Sequence, residues 1–306
     1  MMKNALLSCG LLFTLASVSS VSATLVAYEG FNYAIATDGL AGQSGGTGFS
    51  GAWNDTANDG DIVASALSYT DGGGRMLVTS GNMARMEGNA AGNAVNFRLL
   101  DTTTYSSSST LYLSFLGQKV ASNTGTPLDS RAVNLALFNG TVAGTGTENI
   151  SVGHGTNFPV GGPYNWGHFW GGNGGNGTGA GTVDTYSSVS AQTAVFAVLK
   201  IELNLGGGAL DQFTFYLNPS LNSESGNTPS ATTISTQDRG ATMNAIVSQF
   251  RPFGGNTNVN GTGILSLDEI RLGTTWGDVT PFIVPEPSTA ALGGLAALGL
   301  LRRRRR

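Results

Sequence analysis

Cysteine is almost missing from this chain. One occurs, Cys9, inside an apolar stretch close to the amino terminus. Histidine is scarce as well, with only His154 and His168. No CxxC, HxH or HExxH spacing can be assembled from such a set, which excludes the usual zinc sites. A single thiol cannot staple a small domain either. Basic residues are outnumbered, 15 Lys and Arg against 19 Asp and Glu, for a net charge of −4. An acidic chain is a poor partner for nucleic acid, and no nucleic-acid role is expected. Helical patterning is missing too. No sustained 3.6-residue periodicity precedes Thr289, and the 46 glycines, about twice the usual fraction, oppose long helices.

The two ends carry the clearest signals. Met1 to Lys3 is a short positive region, Ala5 to Val18 is mostly apolar, and Val21-Ser22-Ala23 places small residues at a cleavage position. This pattern predicts a secretory signal peptide over 1–23, cut by signal peptidase after Ala23. Cys9 would leave with it. Leu6-Leu7-Ser8-Cys9 only faintly resembles a lipoprotein box, because it comes before most of the apolar region.

At the other end, Pro285-Glu286-Pro287 leads into an apolar run, Ala290 to Leu301, and then into five arginines, Arg302, Arg303, Arg304, Arg305 and Arg306. The block over 285–306 resembles the PEP-CTERM sorting signal. That resemblance implies an exosortase-type processing enzyme as partner. It also implies export, transient retention in the inner membrane by the tail, and final placement at the cell surface or in the extracellular matrix. Physics agrees with a temporary anchor. A spanning helix needs roughly 20 apolar residues, whereas this run offers a dozen, with Gly293, Gly294 and Gly299 inside it. Pro285 and Pro287 oppose extension upstream, and the arginines favour the cytoplasmic side. A short C-terminal apolar helix is the expected form. Loss of both ends removes Lys3, Glu286 and the five arginines, leaving nine basic and 18 acidic residues, a charge near −9.

Between the signals, 24–284 reads as one all-β domain. Period-two alternation recurs at Leu111/Leu113/Phe115, Val133/Leu135/Leu137, Val195/Ala197/Leu199/Ile201/Leu203 and Phe213/Phe215/Leu217. Shorter strands are expected over 25–31, 66–70, 76–80, 94–100, 150–153, 244–251 and 263–272, separated by Gly-, Asn- and Ser-rich turns. Strands without crossover helices make an antiparallel β-sandwich. LVAYEGFNY at Leu25 to Tyr33 and LSLDEIRLGTTW at Leu265 to Trp276 resemble the first and last strands of concanavalin A-like and laminin-G-like jelly rolls. The resemblance implies that these two strands pair near a sheet centre.

Candidate sites are few. Laminarinase-type enzymes of that fold need E-x-D-x-x-E. None of Glu29, Glu87, Glu148, Glu202, Glu224, Glu269 and Glu286 has Asp two residues on. The G-x-S-x-G match at Gly42 to Gly46 cannot lead into a helix, because Gly45, Gly46 and Gly48 oppose one. A non-catalytic domain associating with extracellular polysaccharide is therefore expected, with a secreted polysaccharide hydrolase or lyase of unrecognised site and a purely structural envelope protein as the alternatives. A structural calcium ion is a candidate at Asp59 and Asp61, or at Glu29 with Asp268 across the terminal strands. The alternatives there are a solvated turn and an ion pair with Arg271. Tyr164, Trp166, His168 and Trp170 form the densest aromatic segment. If extended, 166, 168 and 170 share one face and make a stacking platform for extracellular polysaccharide; packed inward, they make core.

The sorting reading generates a first test. Replacing Pro285 and Pro287 with Ala should leave a longer, membrane-retained species in a host with an exosortase, seen by mass spectrometry. Normal maturation of the double variant would contradict it.

Overall fold

The computed structural model describes residues 25–55, 60–120, 131–155, 165–170, 185–204, 210–234, 242–255 and 262–285. The leader with Ala23, Asp59, Tyr164, and the tail from Glu286 through Arg306 lie outside the described residues, so the expected C-terminal helix does too. Among the described residues, no helix is long and apolar enough to cross a membrane.

Those residues form a two-sheet antiparallel β-sandwich of jelly-roll type. The strands are β1 (Leu25–Glu29), β2 (Asn54–Asp55), β3 (Gly60–Val63), β4 (Met76–Leu77), β5 (Met83–Glu87), β6 (Ala94–Leu99), β7 (Thr110–Val120), β8 (Val133–Phe138), β9 (Glu148–His154) and β10 (Asn165–Trp170). They continue with β11 (Thr185–Ser190), β12 (Val195–Glu202), β13 (Gln212–Leu217), β14 (Ala231–Ile234), β15 (Gln249–Gly254), β16 (Ile264–Gly273) and β17 (Phe282–Ile283). Two one-turn helices, α1 (Met243–Ile246) and α2 (Trp276–Val279), punctuate them. One sheet runs β14-β13-β12-β7-β16-β5-β3, with β1 also on β16. The other runs β11-β10-β9-β8-β15-β6-β2, and β17 pairs with β4 apart from both.

The alternating residues do what their period requires. Leu111, Leu113 and Phe115, Val133, Leu135 and Leu137, and Val195 to Ile201 at odd positions meet between the sheets. The opposite face of the eight-stranded sheet is covered as well. Tyr112, Leu116, Phe196, Val198 and Tyr216 pack there under Leu67, Leu77, Leu221, Trp276 and Val279. Burial on both faces explains why β7 and β12 also carry large apolar residues, Tyr112, Leu116, Phe196 and Val198, at positions between the alternating core set.

The terminal strands pair as expected. Tyr28 stands opposite Arg271 and Glu29 opposite Ile270, with β16 between β7 and β5. β16 carries a bulge against β7 between Asp268 and Arg271, where Glu269 adopts φ +55°. The bulge shifts the parity of the strand. Leu265 and Leu267 before it, and Ile270 and Leu272 after it, all face the core, and Asp268 is left opposite Leu116 on the other face.

Three expectations need correction. Residues 66–70 form no strand beyond a bridge from Thr70 to Met76. The strand expected over 244–251 begins only at Gln249, because α1 occupies its first part. Strands β2, β3, β5, β11, β14 and β17 were not anticipated.

An ion pair sits between the two sheets. Glu29 from β1 and Arg98 from β6 are each 1% exposed and bonded to each other. Glu29 Oε2 also accepts from the Tyr33 hydroxyl at 2.6 Å and Trp53 Nε1 at 3.0 Å, and Oε1 from the Phe31 amide at 2.8 Å. Arg98 donates to the carbonyls of Gly51 and Gly45, and its guanidinium lies 3.8 Å from the centre of the Phe49 ring. Breaking a buried pair by removing one member costs about 3–5 kcal/mol. Arg98→Met should lower the unfolding free energy by that order in a denaturant titration, and adding Glu29→Gln should recover part of it. A loss no larger than the roughly 0–1 kcal/mol of a surface pair would remove the pair from this role.

Candidate functional site

Trp166 does not belong to the expected platform. Trp166 is fully buried, packed against Phe115 at 6.1 Å between ring centres, and its Nε1 donates to the Thr193 carbonyl at 3.0 Å. The reason is register: on β10, Gly167 pairs with Gly153 and His168 with Val152, so the parity of Trp166 is that of the core residue Val152. The side chains of His168 and Trp170 lie outside the described residues.

Nor do Glu29 and Asp268 share an ion. Glu29 points between the sheets into the Arg98 network, while Asp268 sits on the outer face of its sheet, where Ser65 Oγ donates to Asp268 Oδ2 at 2.6 Å. Arg271 pairs with Glu269 rather than with Glu29, at 2.5 Å. Asp61 Oδ1 accepts from the Asp38 amide at 2.9 Å. Among the described residues, no three His, Cys, Asp or Glu side chains come together as a metal group. Glu29 and Asp268, on opposite faces of the sheet, therefore do not fit a shared calcium, while the pairing of Asp61 with Asp59 lies outside the described residues.

The structure offers a different site. A groove of about 320 Å³ opens where the end of β6 meets the start of the β8–β9 loop and the turn between α1 and β15. Four separate segments build it. Leu99, Leu100 and Asp101 come from the end of β6 and Ser50 from the preceding long loop. Gly140 and Thr141 follow β8, and Asn244 and Ser248 flank the turn into β15. Backbone bonds lock these pieces together. The Leu100 amide donates to the Ser248 carbonyl at 2.9 Å, and the Asp101 amide to the Gly48 carbonyl at 2.9 Å. Ser248 Oγ donates to the Gly140 carbonyl at 2.7 Å.

The β8–β9 loop is held from beneath by Gln249, which has no exposure. Its Nε2 donates to the carbonyls of Asn139 and Thr145, and its Oε1 accepts from the Gly144 amide at 3.1 Å. Gly140 is required at the turn. It adopts φ +123°, and a β-carbon there would lie 2.6 Å from the Thr145 carbonyl oxygen. Asn149 Nδ2 donates to the Ile246 carbonyl at 2.8 Å and so fixes the end of α1 beside the groove.

Chemically the groove is a set of hydroxyls and one amide over two leucines, with a single titratable group. Asp101 accepts from the hydroxyl and the amide of Thr103, both at Oδ1, and these bonds hold its carboxyl below the ordinary range. At neutral pH it is an ionised acceptor. Sequence reasoning missed the site because its parts are up to some 200 residues apart. The available signal was the hydroxyl-rich run from Asp101 to Thr110.

Residues 284–306 match the PEP-CTERM protein-sorting motif. The chain thus carries a tail that marks it for export and for surface or membrane-anchored sorting, and that implies processing by an exosortase-type enzyme. No curated protein matches the chain in sequence. Similar solved structures include an endo-beta-1,4-glucuronan lyase from the fungus Trichoderma reesei, at 14% identity and TM-score 0.48, over 84% of this chain and 99% of that one. Peanut lectin follows at 13% and 0.41, over 81% and 97%. A carbohydrate esterase from a Shiga toxin-encoding bacteriophage stands at 11% and 0.45, over 83% and 100%. These are likenesses of fold, and none fixes a ligand or a reaction for this chain.

The Asp268 cluster gives a pH test. Burial first, and the charge of Glu269 with it, push the Asp268 carboxyl up to about 8, while the Ser65 hydroxyl and Arg271 oppose the rise. The folded chain then holds a proton that the unfolded chain, with an ordinary value of about 4, has already lost. Stability contributed by this group is full below that ordinary value and is lost as pH climbs to about 8. Asp268→Asn should flatten the fall in denaturant midpoint over this range. An equally steep fall in the variant would place the effect elsewhere.

Proposed function

We propose that this chain is an exported, surface-sorted domain that holds extracellular polysaccharide without cleaving it, and that the groove beside Asn244 is where it does so. The observation that carries this reading is the groove lining: hydroxyls of Ser50, Thr102, Thr141 and Ser248, the Asn244 amide and the Asp101 carboxylate, set over Leu99 and Leu100. Sugar rings present the complementary pattern, hydroxyl groups around an apolar face. The size lies at the lower end of ligand sites, about 300–1,000 Å³, which suits one or two sugar units.

Charge narrows the class. The processed body carries a net charge near −9, and the one ionised group in the groove is also negative. A polyuronate would meet repulsion at long range and at the site. A neutral polysaccharide would not. A single ionised carboxylate supplies an acceptor but no second group for general acid–base work, which supports a binding role over hydrolysis.

The test is a binding isotherm on dextran, a β-glucan and alginate, with reducing-sugar release measured on each. Retention on a neutral polymer, without release, is expected. Asn244→Ala combined with Thr141→Val should weaken it severalfold while the melting temperature holds. Preference for alginate, release of sugar, or unchanged binding in the double variant would each overturn the reading. No binding to any polymer would leave a purely structural envelope protein.

A further inference from the structure

Apolar side chains gather on one face of the β4–β17 ribbon, where the body hands over to its tail. Met76 is 41% exposed and pairs directly with Ile283, 56% exposed. Val78, two residues on, is 39% exposed, and Val284 62%. The ribbon is not a loose end. The Val78 amide donates to the Pro281 carbonyl at 2.9 Å, and Arg271 Nη2 donates to the Val78 carbonyl at 2.8 Å. Leu77 and Phe282, the inward neighbours, pack into the cluster beneath. The outward face is thus rigidly presented and open to solvent.

Position gives the patch its meaning. Ala290, the first residue of the apolar run, is six residues beyond Val284. Six extended residues reach roughly 20 Å, so a tail seated in hydrocarbon keeps this face next to the bilayer surface. Arg75 lies on the inward side of the ribbon, its guanidinium over the Phe282 ring at 5.6 Å and paired with the buried Asp71 carboxylate, so it leaves the outward face apolar.

We infer that the face formed by Met76, Val78 and Ile283, with Val284 just past the end of the ladder, rests on the membrane while the tail is still attached, orienting the sandwich on the bilayer before processing. The contact is apolar and rests on the sorting reading of the tail. Because the body is acidic, zwitterionic lipid is the partner to use.

The experiment takes the chain from membranes of a host without an exosortase, so that the leader is removed and the tail kept. An environment-sensitive fluorophore is placed at Val78→Cys or, as a control, at Val142→Cys. Val142 is 60% exposed and lies in the β8–β9 loop of the other sheet. Both are reconstituted into vesicles of phosphatidylethanolamine and phosphatidylcholine containing a spin-labelled lipid. The expected result is quenching severalfold stronger at 78 than at 142. Equal quenching in a chain that floats with the vesicles overturns the docking and leaves the tail reading intact. A chain that does not float at all overturns the tail reading and the docking with it.

Discussion

A carboxylate and a guanidinium meet where water cannot reach them. Glu29 and Arg98 come from different sheets, and each remaining valence of the pair is spent on a different piece of chain. The Phe31 amide, the Tyr33 hydroxyl, the Trp53 indole and the carbonyls of Gly45 and Gly51 all belong to the long connection between β1 and β2. That connection has little regular structure of its own. The ion pair gives it a fixed course, and Ser50, one wall of the groove, rides on it. An interior charge is expensive unless fully satisfied. Here satisfaction comes from the loop, so loop order and ion-pair stability are one condition. An apolar substitute at both positions would fill the volume and leave the loop without its tether.

The sheet strands were legible wherever both period and residue size agreed. β7, β8, β12 and β13 alternate large apolar residues with others, and each lies where that alternation places it. β16 shows the rule at finer grain. Its core-facing leucines and isoleucine sit at 265, 267, 270 and 272, and the change from odd to even is the bulge written into the sequence. β3, β5 and β14 were missed because GDIV, MARME and ATTI offer only two or three apolar residues apiece. Their places are set by the neighbours that bury them.

The candidate site was legible to a smaller degree. The aromatic segment announced burial or binding with equal force, and only the pairing of β10 with β9 decides that Trp166 goes inward. Glu29 and Asp268 were rightly placed on adjacent strands. Their faces were not readable, since the bulge turns Asp268 away from the side that Glu29 occupies. The groove was beyond reach altogether. Asp101, Thr141, Asn244 and Ser248 have no common motif, and their convergence depends on the Gln249 anchor and the turn at Gly140.

The way the body joins its tail also has a mechanical meaning. Any pull on the C-terminus enters through β17, which is held to β4 by just two residue pairs. Beyond α2 the same pull reaches β16, which is bonded along its length to β7, β5 and β1. Load therefore meets a weak ladder first and a strong one second. The order of ladders thus makes the short ribbon the element that a pull from the tail would open first and the sandwich the last, a slip coupling at the join.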